Sequence, residues 1–279
     1  MREEAGRTGM ARAVALGGHL GEIVQGRLGP GGPVALLTLP CPGLRMHGFW
    51  RPGPFDLFQP GRPVLSRRQV ADLLEALDLP VTGRFTLRAE MPLGGGAGSS
   101  TAALVAVARL AGHPPAAAQA LARATIAVEG ASDPLMFPAP GRLFWASREG
   151  RVLTRLPALP PFDVLGGFLG PAERTDPADT GFADISDLAT ALPGAMASVA
   201  ALAALASESA RRALAQRAGR PGDDPTEALA AELGALGHAI GHTGPARALI
   251  FAPGTIPPQG RAVLRRAGFR QILSFRPGS

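Results

Sequence analysis

The residues best suited to chemistry lie in one run, Met91-Pro92-Leu93-Gly94-Gly95-Gly96-Ala97-Gly98-Ser99-Ser100-Thr101. Four glycines in five positions let the backbone approach an anion and turn successive N–H groups toward it. A helix starting after them would add first-turn amides without intrahelical partners and a dipole that favours negative charge. The hydroxyls of Ser99, Ser100 and Thr101 could then reach a phosphate oxygen or a magnesium ion. A plainer reading is a helix cap with Ser99 as the capping residue, although four glycines exceed what a cap requires. Two familiar phosphate motifs are excluded. The dinucleotide fingerprint needs a glycine or alanine where Ser99 stands. The Walker motif needs a lysine, and the chain contains none. Any bound phosphate must be held by backbone N–H groups, a helix terminus or arginine.

The flanking elements that must position this run are legible. Residues 84–90 alternate Phe85, Leu87 and Ala89 with Arg84, Thr86, Arg88 and Glu90, the pattern of a half-buried strand. Behind the run an apolar helix is predicted through about Ala111, stopped by Gly112, Pro114 and Pro115. A second helix is predicted over 116–128, ending near Gly130. Upstream, Ser66 and Gln69 form a capping-box pattern ahead of Val70, Leu73, Leu74 and Leu77 at helical spacing. Residues 14–16, 23–24 and 34–39 read as three short strands punctuated by glycine, and 44–59 as a further strand and a loop. Strands are predicted at 142–147, 151–156 and 162–169. Helices are predicted over 194–218 and 225–240, then an apolar segment at 247–251, a helix from about 258 and a strand at 269–275. A composition shift after the prolines of 157–161 divides the chain into domains 1–158 and 159–279.

Composition removes several function classes. The 28 basic residues are all arginine, against 22 acidic ones, so Schiff-base and P-loop lysine chemistry is absent. A net charge of +6 over 279 residues, without a dense arginine run or an aromatic-plus-basic motif, reads as solvated surface and not as a nucleic-acid interface. The single cysteine, Cys41, excludes an intrachain disulfide and a multi-cysteine zinc site and fits a reducing, cytoplasmic setting. No apolar run is long enough to span a membrane. The alanine-rich helices of 194–240 could carry homodimer contacts, or pack within the C-terminal half. His242 reads as a structural turn histidine, and His19 has no evident base or metal partner in the sequence.

The run from Pro92 through Ala103 resembles the phosphate loop of the GHMP kinase superfamily, which includes galactokinase and the homoserine, mevalonate and phosphomevalonate kinases. Its Gly-Leu-Gly-Ser-Ser pattern is matched except that Ala97 stands for leucine. Gly18-His19-Leu20-Gly21-Glu22-Ile23-Val24-Gln25-Gly26, followed by Leu37-Thr38-Leu39-Pro40, is similar to the branch of L-threonine kinases in cobalamin synthesis and propanediol utilisation. Gly241-His242-Thr243-Gly244-Pro245-Ala246-Arg247 resembles the superfamily's third motif, a glycine-bearing turn beside the phosphate loop.

The resemblance implies an α+β, two-domain fold with ATP between the domains, and phosphorylation of L-threonine to O-phospho-L-threonine. Another alcohol such as homoserine, or a non-catalytic nucleotide-binding role, are the rival outcomes. It assigns Pro92, Leu93, Gly94, Gly95, Gly96, Ala97, Gly98, Ser99, Ser100 and Thr101 to ATP. Ser100 and Glu129 are assigned to Mg2+, and Asp133 to the general base. The threonine kinase branch carries Glu-Pro-Thr-Asp-Ser there. This chain reads Glu129-Gly130-Ala131-Ser132-Asp133-Pro134, one residue longer between the acids. Asp133 before Pro134 equally reads as a helix N-cap. For an amino-acid acceptor, Glu22 would meet the ammonium group. Arg247, with Thr243 and Gly244 in the same turn, would grip the carboxylate bidentately.

Overall fold

Two long strands stand where three short ones and a further strand were expected. In the computed structural model, which describes residues 10–173, 176, 178–217, 224–242 and 244–278, β1 (Arg12–Arg27) and β2 (Val34–Arg51) pair antiparallel along almost their whole length. The glycines that read as interruptions are absorbed inside β1, where the register shifts between Gly17 and Gly18, between His19 and Glu22, and between Glu22 and Val24. Such bulges bend a strand and redirect its side chains without ending it.

The chain continues through β3 (Asp56–Phe58), α1 (Arg67–Ala76), β4 (Arg84–Ala89), α2 (Ser99–Ala111), α3 (Ala118–Glu129), β5 (Leu143–Ala146) and β6 (Arg151–Arg155). There follow β7 (Asp163–Phe168), α4 (Ser186–Ala195), α5 (Val199–Arg217), α6 (Thr226–Glu232), β8 (Gly237–Ile240), β9 (Ala246–Phe251), α7 (Gly260–Arg266) and β10 (Arg270–Phe275). Among the described residues the strands form one sheet in the order β10-β7-β9-β8-β1-β2-β4-β3, with β5 pairing off β2 and β6 off β5. Strands β1–β6 precede residue 158 and β7–β10 follow it. The two sets meet where β1 pairs with β8 at a single position, Glu22 opposite Ile240. A side chain on Gly21, which has a φ of +79°, would reach within 2.7 Å of the Ile240 carbonyl carbon, so this approach requires glycine.

Helix α1 carries the expected capping box: Ser66 Oγ accepts from the Gln69 amide, and the Gln69 side chain accepts from the Ser66 amide. The predicted helix over 225–240 is corrected. It stops at Glu232, and residues 237–240 form β8. All four β8 residues are buried, so no polar alternation marks them as a strand, and a short apolar run does not distinguish the two states. Helix α2 is buried on nearly every face. Full burial of Leu104, Val105, Val107 and Leu110 stabilises by about 1.5–3 kcal/mol per side chain. The main core runs through both halves of the sheet, from Leu20 and Ile23 in β1 to Val164 in β7 and Ile250 in β9. A smaller core under α6 and α7 gathers Leu165, Leu249, Phe251 and Leu264. No helix among the described residues is long and apolar enough to cross a membrane.

Candidate active site

Strand β4 delivers the chain directly into the glycine run. Gly94, Gly96 and Gly98 have φ values of 65°, 70° and 72°, so every second residue occupies the left-handed region open to glycine. Ala97 lies between them outside that region and is buried, so the loop accepts a side chain at this departure from the superfamily pattern. Four successive carbonyls are tied to the scaffold. Gly94 O accepts from the Glu173 amide (2.8 Å), Gly95 O from Ala246 (3.0 Å), Gly96 O from Gly21 (3.4 Å) and Ala97 O from His19 (3.2 Å). Because each peptide is planar and trans, anchoring the carbonyls on one side presents the amides on the other. Among the described residues the amides of 96–100 find no backbone acceptor. The capping reading of Ser99 is corrected here. Gly98 is the N-cap, Ser99 is already helical, and no side chain caps α2. The helix therefore starts with bare first-turn amides, the arrangement that binds phosphate.

The loop forms one wall of a cleft of about 620 Å³, a size usual for small-molecule sites. Leu93, Gly94 and 96–101 line it, whereas Pro92 and Gly95 lie behind the lining. At one end Pro63, Val64, Leu65 and Val128 provide apolar surface. Next to the loop, Ser100 Oγ donates to Glu129 Oε1, which Gln69 Nε2 also approaches at 3.4 Å. A hydroxyl and a carboxylate from two helices fit the few oxygen ligands that Mg2+ takes while keeping several waters.

Asp133 enters the same cleft from the segment after α3. Its cap reading is corrected, because no helix follows: 134–137 form a turn closed by the Phe137 amide on Pro134 O (3.1 Å). The segment is pinned by the fully buried Trp145, whose indole donates to Ser132 O (2.7 Å), and by the Asp133 amide on Thr101 Oγ1 (3.2 Å). The Asp133 side chain keeps 22% of its surface exposed. His19 Nε2 lies 3.3 Å from Asp133 Oδ2, and His19 Nδ1 lies 3.3 Å from Glu22 Oε1. The carboxyl groups face different ring nitrogens, and one ligand atom from each of the three residues lies within 4.8 Å of the others. Burial opposes charge on His19, but Glu22 and Asp133 carry its pKa up to about 9. Burial would raise Asp133, yet His19 and the Thr101 hydroxyl hold it below its ordinary value. Burial pushes Glu22 up to about 8 against the pull of His19, with Asp133 adding to the rise. These directions favour the proton on His19 and the charge on Asp133, while burial works against charge on Glu22. Glu22, expected to meet a substrate ammonium, lines the cleft with its Oε1 facing His19.

His242 closes this end of the cleft, stacked on Phe182 with ring centroids 4.7 Å apart. Gln25 Nε2 donates to Ile240 O, which orients its Oε1 toward His242 Nδ1 at 3.1 Å and Arg217 Nη2 at 3.3 Å. The proton of His242 therefore sits on Nδ1, and Nε2 is an acceptor. Burial, aided by Arg217, pushes its pKa down to about 3. An unfolded chain takes up this proton near pH 6.5, whereas the folded chain refuses it until about pH 3. His242 therefore contributes stability above pH 6.5 that is lost as pH falls toward 3. The melting temperature of His242→Gln is expected to fall less between pH 7 and pH 4.5 than that of the parent; an equal fall would remove His242 from the acid limb.

The third motif serves the loop more directly than the cleft. A side chain on Gly244 would come within 2.4 Å of Gly94 O, so this turn packs against the backbone of the glycine loop. Arg247 lies outside the cleft lining. Its Nε donates to Asp224 Oδ2 (2.6 Å), and its Nη1 to Gly244 O (3.1 Å) and Ala246 O (2.8 Å). Asp224 thus occupies the guanidinium that a substrate carboxylate was expected to engage. Thr243 lies outside the described residues. Among the described residues lining the cleft, the guanidinium is that of Arg148, in the turn between β5 and β6, with its carbon 5.0 Å from the Phe182 ring centre and Nη2 on Asp176 O (3.1 Å). No sequence signal separated Arg148 from the other arginines.

No family model and no curated protein matches this sequence. Solved structures do match its fold. A mevalonate kinase from methicillin-resistant Staphylococcus aureus is similar with a TM-score of 0.60 at 12% identity, covering 97% of this chain and 100% of the other. A homoserine kinase from Cytophaga hutchinsonii gives 0.56 at 15%, covering 99% and 96%. A mevalonate pyrophosphate decarboxylase from Streptococcus pyogenes gives 0.64 at 11%, covering 98% of each. The chain has the mixed α+β fold of the GHMP kinases over essentially its whole length.

Proposed function

We propose that the protein is an ATP-dependent kinase that phosphorylates the hydroxyl of a small molecule, with L-threonine as acceptor and O-phospho-L-threonine as product. The observation that carries this reading is the sharing of one cleft by amides without backbone acceptors at a helix N-terminus, the Ser100–Glu129 oxygen pair, and the Asp133 carboxyl. The structural similarity to mevalonate and homoserine kinases supports the reaction class, and the Gly18–Gly26 motif supports the acceptor.

In this reading domains 1–158 and 159–279 enclose the nucleotide. The amides of 96–100 and the dipole of α2 hold the phosphates. Ser100 and Glu129 would hold Mg2+, which neutralises charge shared between phosphate oxygens. Asp133 takes the proton of the acceptor hydroxyl as phosphoryl transfer proceeds, which requires the carboxyl to be ionised beforehand. Arg148 supplies the positive charge for a carboxylate on the acceptor, and Nε2 of His242 offers an acceptor to its ammonium group.

ADP release measured across L-threonine, L-homoserine, mevalonate and a hexose tests this, with the highest kcat/KM expected for L-threonine. Release with none of them would end the kinase reading; a higher value for homoserine would end the threonine assignment. Replacing Arg148 by Met should raise the KM for L-threonine roughly 10- to 100-fold, the worth of a charge-assisted hydrogen bond. The amino alcohol lacking the carboxylate should be affected much less, and equal losses for both acceptors would remove Arg148 from recognition.

A further inference from the structure

We propose that His19 and Glu22 are positioning residues for phosphoryl transfer, acting through Asp133: the His19 imidazolium keeps Asp133 ionised and aimed into the cleft, and Glu22 secures the proton on His19 as pH rises. The inference rests on Asp133 being the base.

The geometry assigns His19 to two jobs at once. Its amide anchors Ala97 O of the phosphate loop. Its ring edge packs against Gly98, where a side chain would come within 2.8 Å of both Cδ2 and Nε2. One imidazole thus sets the distance between the start of α2 and the Asp133 carboxylate. The His19 side chain is 3% exposed, and its two nitrogens face two acids at equal distances of 3.3 Å. A buried imidazole in this position holds a proton, because losing it would leave the Asp133 carboxylate without its cationic partner in a poorly solvated site.

The nearby arginines do not take over this task. Arg247 is paired with Asp224, and Arg217 donates to Gly241 O and Gln25 Oε1. The groups facing the cluster are Glu22 from β1, Thr38 from β2, Thr101 from α2, Asp133 from the segment after α3, and His242 from the turn after β8. Arg148 and Arg217 act on His242. An imidazolium, unlike a guanidinium, is lost at alkaline pH. Glu22 counters that loss, because its carboxyl lies 3.3 Å from Nδ1, where its negative charge favours the protonated ring.

The test is a mutant cycle combined with a pH profile, read as kcat for ADP release at saturating ATP and acceptor. His19→Gln is expected to lower kcat by about 10-fold or more, with a smaller change in the KM for ATP. In an Asp133→Asn background the same substitution should change kcat less than about 2-fold, since residues acting as one unit are strongly non-additive. Glu22→Gln should move the alkaline limb of kcat down by about one pH unit or more, the scale of one lost charge partner. Multiplying losses in the double mutant, or an unmoved alkaline limb in Glu22→Gln, would overturn the inference while leaving Asp133 as base. An undiminished kcat for Asp133→Asn alone would instead overturn the base reading on which it rests. If His19→Gln does not fold, the pH profile of Glu22→Gln decides.

Discussion

Asp133→Asn is expected to lower kcat by about 10²- to 10⁴-fold, the range supplied by a positioned general base, while the KM for ATP stays within a few-fold of the parent. Asparagine keeps the shape and still accepts a hydrogen bond from His19, but it cannot take a proton from an alcohol. The Asp133 carboxyl faces the His19 ring, and the loop's carbonyls are anchored by the backbone amides of Glu173, Ala246, Gly21 and His19, which the substitution leaves in place. Steady-state ADP release and fluorescence titration with a labelled nucleotide separate the two quantities. A kcat within about threefold of the parent would exclude proton abstraction at this carboxyl.

The second large effect is expected at Gly244, far in sequence from the loop that it supports. Gly244→Ala places a side chain at a φ of +82°, which costs about 1–2 kcal/mol in the left-handed region. It also sets Cβ 2.4 Å from Gly94 O and 3.0 Å from Gly96 N. These neighbours are backbone atoms of the phosphate loop, so relief of the clash must move the loop. The expected result is a loss of ATP affinity of about 10-fold or more and a fall in melting temperature of several degrees, at roughly 2–4 °C per kcal/mol for a chain of this size. Gly31→Ala is the matched control. Its φ is +71° with nothing within 4 Å of the added atom, so it carries the conformational cost alone and should leave nucleotide binding intact. Equal ATP affinities for the two variants would show that the turn does not shape the loop.

What could be read in the sequence was what is encoded locally. The Ser66–Gln69 capping box, the alternation of 84–90 and the glycine run each involve neighbours within a few positions, and each corresponds to a structural element. The long strands were concealed because the glycines between residues 16 and 23 read as breaks, whereas sheet pairing accommodates them through register shifts. Strand β8 was concealed by burial on both sides. The site's charges were the least legible part. His19 meets Asp133 across 114 positions, and Arg247 meets Asp224 in a pair that no spacing announces. A local reading can nominate Glu22 and Arg247, but what faces them is decided by the fold, and here His19 and Asp224 already do.

The join between the two sets of strands is one residue pair wide, Glu22 opposite Ile240. That rung does not stand alone: Gln25 Nε2 reaches Ile240 O, the Arg27 amide reaches Ala183 O, and Gly95 O takes the Ala246 amide. The acid group packed against His19 therefore hangs from the backbone at the seam of the sheet, so the charge cluster and the seam share one residue.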